Sequence, residues 1–115
     1  MRNIMVTTLA LLAMSVPAGP EHYIFFGRER QRISEPAFLE NKNIAGAQLN
    51  YTWRELEPAR DQYALKPLLD DLAFLERHGK RLFVQLQDVS FSEDVPVPDY
   101  LRQDPAFGGG VARKY

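Results

Sequence analysis

Residues 65–87 read LKPLLDDLAFLERHGKRLFVQLQ and combine the pattern of a helix with that of a strand. The leucines recur at helical spacing, so one apolar stripe runs along a helix predicted over residues 65–78. Pro67 suits the first turn of this helix, and Gly79 suits the left-handed residue that closes it. Residues 80–87 then alternate in character, which is typical of a strand.

A second apolar run of strand length precedes this unit. Residues 44–51, IAGAQLNY, contain small side chains at their centre, as expected for a buried parallel strand. Residues 52–63 contain Pro58 and have no clean periodicity, so they predict a loop, with or without one helical turn. Strand, loop, helix and strand form a βαβ unit, in which the two strands are parallel. The predicted fold class is therefore α/β.

The regions outside this unit are expected to be less regular. Residues 19–43 form a lead-in segment, whose apolar cluster YIFF at 23–26 is either a short strand or extended chain. The charged run RERQR at 28–32 is expected on the solvated surface, with an anion site as the alternative. A short helix is predicted to follow, with Ser34 as its cap. Residues 102–115 form an irregular Gly-rich tail.

Composition and charge exclude several classes of protein. Hydrophobic residues make up 45% of the 115 residues, enough for a packed core, so a disordered chain is not expected. The 14 Lys and Arg are balanced by 15 Asp and Glu, whereas a nucleic-acid partner calls for a basic surplus. There is no cysteine and the two histidines are far apart, so neither a metal site nor a cofactor is predicted.

The N-terminus has the pattern of a secretory signal peptide. Arg2 precedes an apolar run over residues 4–14, which is shorter than the roughly 20 residues that span a bilayer. Val16 and Ala18 stand at the small-residue positions that precede a cleavage site. We expect removal of residues 1–18 and a secreted or periplasmic chain without stable membrane insertion. The alternatives are a buried N-terminal helix or strand, or an uncleaved anchor.

Polar and aromatic side chains collect where the two predicted strands end. In parallel α/β proteins, functional sites lie at the carboxyl ends of the strands. A sugar is bound by such a mixture, because its C–H face stacks on a ring and its hydroxyl groups need donors and acceptors. The residues predicted to line a carbohydrate site are Asn50, Tyr51, Trp53, Gln85, Gln87 and Asp88. The alternative is that the amides bind loop backbone and that Trp53 fills the core.

Glu55, Glu57 and Asp88 are carboxylates close to these strand ends. Glycoside cleavage uses two carboxyl groups, roughly 5–5.5 Å apart for retention and 6.5–9.5 Å apart for inversion. The spacing along the chain does not show that any two of the three meet, and Glu57, before Pro58 in a loop, is expected to act as a cap or to form a salt bridge locally. No catalytic residue is therefore assigned.

Part of the chain resembles a known family. Residues 53–58, WRELEP, followed by DQY at 61–63 and the Leu-rich helix, are similar to the W-x-x-L-E-P-x-x-G-x-Y start of TIM-barrel glycoside hydrolases. The pattern is found in β-galactosidase-like and cellulase-like members of the retaining clan. Residues 79–88 resemble the second strand of these proteins, and residues 95–101 resemble the P-x-W/Y-L segment after it. Gln62 departs from the pattern, since the family usually has Gly there.

The resemblance implies a partial (β/α)8 TIM barrel. Residues 44–101 would supply its first two parallel strands and their connecting helix, followed by the irregular tail. A complete barrel takes about 250 residues, and the family's catalytic glutamates follow the fourth and seventh strands, so they are expected to be missing here. We therefore expect an inactive fragment of an exported glycoside hydrolase-like protein that contacts carbohydrate and associates through open sheet edges. The alternative is a small secreted module that binds carbohydrate or another partner without catalysis.

Overall fold

The computed structural model describes residues 19–110, which contain a three-stranded parallel sheet. The elements in chain order are β1 (His22–Gly27), a first 3-10 helix (Arg30–Ser34), α1 (Pro36–Leu39), β2 (Ile44–Thr52), α2 (Trp53–Leu56), α3 (Lys66–Arg77), β3 (Arg81–Gln87), α4 (Asp99–Gln103) and a second 3-10 helix (Pro105–Phe107). The strand order is β1-β2-β3, so β2 is central and the other two strands form the edges. The expected signal peptide, residues 1–18, and the end of the tail, residues 111–115, lie outside the described residues.

The α/β class and the βαβ unit are confirmed, and the strand alternative for residues 23–26 holds, so the sheet has a third strand beside the two of the βαβ unit. The additional strand, β1, comes from the apolar cluster of the lead-in segment. It pairs in parallel with β2, with Tyr23 opposite Gly46 and Phe25 opposite Gln48. Its connection to β2 contains the first 3-10 helix and α1. The parallel sheet therefore begins at His22 and not at residue 44.

The helix and strand predicted from residues 65–87 are confirmed to within one residue at each end. Pro67 lies in the first turn of α3, where its missing N–H removes no hydrogen bond. Gly79 ends the helix with a φ of 67°, which is the left-handed conformation expected of it. Leu75, on the apolar stripe, is fully buried. Leu68 packs against the same core, whereas Leu65 and Leu69 are exposed, so only part of the stripe attaches α3 to the sheet.

The short helix predicted after Ser34 is present as α1, but Ser34 does not cap it. The charged run forms most of a 3-10 helix, and Ser34 is its last residue. The Ser34 hydroxyl donates to the carbonyl oxygen of Gln31 at 2.8 Å, within that 3-10 helix. Glu35 takes the N-cap position of α1, and Pro36 is its first residue.

The hydrophobic core lies on one face of the sheet, between the strands and the helices. Alternate residues of β2, namely Ala47, Leu49 and Tyr51, are fully buried there. The remaining members of the buried cluster come from β1, the first 3-10 helix, α1 and α3, and they are Phe26, Ile33, Phe38 and Leu75. Because successive side chains of a strand point to opposite faces, the residues between them in β2 point away from this core.

Gly46 lets the strands and an aromatic ring approach closely near the amino end of the sheet. A Cβ atom at this position would overlap the carbonyl oxygen of Arg81 and would lie 2.7 Å from the ring of Tyr23. The close packing of β2 on its neighbours, predicted from its small residues, therefore depends on this glycine.

Candidate functional site

The face of the sheet opposite the core carries amide and aromatic side chains, and we call it the open face. In the register of the sheet, Gln48 lies opposite Phe83, and Asn50 lies opposite Gln85. On the other side of β2, Phe25 lies opposite Gln48. The open face is formed by Phe25, Gln48, Asn50, Phe83, Gln85 and Gln87.

The amides of the open face make few hydrogen bonds with one another. Gln48 Nε2 donates to Gln85 Oε1 at 2.6 Å, which links β2 to β3. The Oδ1 atom of Asn50 is buried and has no hydrogen-bond partner within residues 19–110. A buried oxygen without a partner is unfavourable, so a hydroxyl donor placed beside it would be stabilised. Asn50 Oδ1 is therefore an unpaired acceptor under the open face, and a ligand hydroxyl would reach it only after the side chains around it move.

Two aromatic rings of the open face are accessible. Phe25 is 61% exposed and Phe83 is 55% exposed. Phe83 also contacts Tyr23 edge to face, with the ring centroids 6.4 Å apart. Exposed rings on the same face as amides provide both the apolar and the polar contacts that a sugar uses.

Arg28 crosses the carboxyl end of the open face. It follows β1 directly, and its Nε donates to Gln87 Oε1 on β3 at 3.0 Å. Its Nη1 lies 2.7 Å from Asp94 Oδ2. Gln87 Nε2 donates in turn to the carbonyl oxygen of Val89 at 2.9 Å, which keeps its Oε1 toward Arg28. This member of the charged run is thus a link between the two edge strands.

The structure brings three of the six predicted site residues onto one face and turns Tyr51 away from them. Asn50, Gln85 and Gln87 share the open face, but Tyr51 follows Asn50 in the strand and points to the core. Its hydroxyl donates to Asp71 Oδ2 at 2.7 Å. Burial and this hydrogen bond raise the pKa of Tyr51, so the hydroxyl stays protonated. Tyr51 does not line the surface that carries the amides.

Trp53 is hydrogen-bonded to Glu57 in the loop after β2, and we call Glu57 with its partners Trp53, Asp61 and Tyr100 the clamp. Trp53 Nε1 donates to Glu57 Oε2 at 2.7 Å. Glu57 Oε1 accepts from the backbone N–H of Asp61 at 3.0 Å and from the hydroxyl of Tyr100 at 3.1 Å. These hydrogen bonds, that of Trp53 above all, hold the pKa of the Glu57 carboxyl below its usual range. The W-x-x-L-E pattern therefore joins this loop to the segment after β3.

The candidate carboxylates near the strand ends differ in their surroundings. Glu55 forms a capping box with Thr52: its backbone N–H donates to Thr52 Oγ1 at 3.1 Å, and its Oε2 accepts from the Thr52 backbone at 3.3 Å. It also lies 3.4 Å from Arg30 Nη1. Asp88 is exposed after β3. Glu55 and Glu57 thus stabilise local structure.

Two grooves lie away from the open face. One is lined by α1, the start of β2 and the residues around Gly79, and the other by the first 3-10 helix and α3. Within residues 19–110, no group of three or more His, Asp or Glu could hold a metal ion. Over the same described range, no helix is both long enough and apolar enough to cross a membrane.

Four residues of the site were missed from the sequence: Phe25, Gln48, Phe83 and Arg28. Gln48 is two positions from Asn50, so the period of a strand places it on the same face. Phe25 would have been found if the apolar cluster had been assigned to a strand. Arg28 has no local signal, because its partners are 59 and 66 residues away along the chain.

Comparisons with known proteins do not place the chain in a family. No protein-family model, curated protein or solved structure gives a significant match to it. The functional proposal therefore depends on the open face and on the resemblance of residues 53–58.

Proposed function

We propose that the open face binds carbohydrate at the carboxyl ends of strands that belong to a TIM-barrel, glycoside hydrolase-like domain. The observation that carries the proposal is the register of the sheet, with Asn50 opposite Gln85 and Gln48 opposite the exposed ring of Phe25. Amide groups both donate and accept hydrogen bonds, as sugar hydroxyls require. An exposed ring supplies the apolar surface for the C–H face of the sugar.

The barrel assignment is supported by topology and by the sequence resemblance. Three parallel strands follow one another in chain order, and the helices between them pack on one face. Consecutive strands of a (β/α)8 barrel have this arrangement, with the opposite face toward the barrel axis and the site at the carboxyl ends. Residues 53–58 follow β2, the second strand of the described sheet, whereas the family pattern follows the first strand.

We expect this chain to bind sugar without hydrolysing it. Cleavage needs two carboxyl groups on either side of the glycosidic bond. Glu57 uses both of its oxygens to hold Trp53, Asp61 and Tyr100. This observation also favours the second candidate, a small secreted module that binds carbohydrate and has no catalytic role of its own.

The proposal is tested by titrating cellobiose and lactose into the full chain. Replacing Gln85 by Ala removes a hydrogen-bonding amide from the open face and should weaken binding about fivefold. Gln31→Ala is the matched control, because Gln31 is also exposed but belongs to the first 3-10 helix. The affinity of the Gln31→Ala variant for the two disaccharides should equal that of the original chain. Absence of sugar binding, or equal losses in both variants, would contradict the proposal.

A further inference from the structure

The guanidinium of Arg28 is held in place at the carboxyl end of the open face. Its Nε is bonded to Gln87, whose orientation is set by the carbonyl oxygen of Val89. Its Nη1 is bonded to Asp94, while Nη2 donates to none of residues 19–110. The Arg28 side chain is 43% exposed, so it is not enclosed by the residues around it.

The Arg28 guanidinium already forms an ion pair with a carboxylate of the chain itself. Asp94 Oδ2 is 2.7 Å from Arg28 Nη1, and the Asp94 side chain is 64% exposed. Asp94 lies between β3 and α4, in residues 88–98, which form neither helix nor strand. An exposed ion pair contributes little to stability, so exchange of this carboxylate for another is not costly.

We propose that Arg28 binds the carboxylate of a uronic acid, so that the open face takes an acidic carbohydrate. In the absence of sugar, Asp94 occupies the place of that carboxylate. A guanidinium binds a carboxylate through two parallel N–H donors, which gives the contact both strength and direction. The other partner of Arg28, Gln87, is neutral, so once Asp94 is displaced the guanidinium balances the charge of one carboxylate, whereas a phosphate dianion would lack a second cation. This inference rests on the proposed function, because it names the class of sugar that the same face binds.

The test compares two disaccharides that differ at one carbon: cellobiose and cellobiouronic acid, in which the terminal CH2OH is a carboxylate. Isothermal titration of the full chain should show that the acid binds about tenfold more tightly, because its hydrogen bonds to Arg28 are charge-assisted. Arg28→Gln should reduce this ratio to one or below. Arg28→Lys should keep part of it, since the charge remains but the paired donors are lost.

Asp94→Asn separates this inference from a purely structural ion pair. If Asp94 stands in for the ligand, its neutralisation should tighten binding of the acid about two- to fivefold. Arg32→Gln is the matched control, because Arg32 also pairs with carboxylates, those of Glu29 and Glu35, but belongs to the first 3-10 helix. The ratio of the two affinities should not change in this control.

The possible results distinguish the inference from the proposed function. Equal binding of the two disaccharides, or a ratio that survives Arg28→Gln, would overturn the inference and leave the proposed function standing. Weaker binding of the acid by Asp94→Asn would overturn the role given to Asp94. Binding of neither disaccharide would overturn the proposed function and this inference together.

Discussion

The two faces of the sheet differ in what their polar and apolar groups contact. We call the face that carries the hydrophobic core the covered face. There, Leu49 and Tyr51 are fully buried against helices, and the Tyr51 hydroxyl is paired with Asp71. On the open face of the same strand, Asn50 Oδ1 has no partner within residues 19–110, and the neighbouring ring of Phe25 is exposed. One strand therefore serves packing on one side and carries one unpaired amide oxygen on the other.

The largest expected effect is on the free energy of unfolding when one side chain on each face is replaced by Ala. Leu49→Ala should lower the free energy of unfolding by about 2–5 kcal/mol, because a buried side chain is lost and a cavity remains. Phe83→Ala, on the open face, should cost below about 1 kcal/mol, since Phe83 is 55% exposed. Urea unfolding followed by circular dichroism gives both values. A loss for Phe83→Ala as large as that for Leu49→Ala would show that the open face is also packed.

Protonation of Glu57 should lower the free energy of unfolding by less than Leu49→Ala does. The structural change should be confined to the clamp between the two loops. The pKa of its carboxyl is below the usual value in the folded chain, so the unfolded chain takes up the proton first. The stabilisation is therefore complete above about pH 4.3, the usual glutamate pKa, and is lost as the pH falls through the lowered folded-state value.

Trp53 is the single tryptophan of the chain and reports this protonation, because its indole N–H is bonded to Glu57. Its fluorescence should change on acidification, and Glu57→Gln should remove that change. Glu76→Gln, at an exposed glutamate of α3, is the matched control and should leave the change as it is. An unaltered acid transition in Glu57→Gln would show that the clamp is not the group that titrates.

The elements that could be predicted from the sequence are those with local signals. α3 has a leucine stripe, Pro67 in its first turn and Gly79 at its end, and each signal acts within a few residues. β1 has no such pattern: its apolar cluster runs directly into charged residues, and its strand character depends on pairing with β2, about twenty residues later. Ser34 before Pro36 has the local pattern of a cap, but the 3-10 helix that ends at Ser34 has no periodic signal, so the sequence does not show that Glu35 takes the cap position.

The candidate site was predicted in part for the same reason. The rule that sites lie at the carboxyl ends of parallel strands brought Asn50 and Gln85 together, and they are opposite each other in the sheet. Tyr51 was grouped with them by its position in the chain, although the period of a strand turns it to the other face. The partners of Arg28 come from distant segments, so only the folded chain brings them together.

The central claim is that ligand binds to the open face and not to the covered face or to the grooves beside the helices. The most direct test is chemical-shift mapping by NMR on the 15N-labelled full chain during titration with cellobiouronic acid. We predict that the side-chain amide signals of Gln48, Asn50 and Gln85 shift together, while the backbone signals of α3 remain in place. Shifts confined to α3 or to the helix-lined grooves, or unchanged open-face signals at saturating sugar, would contradict the claim.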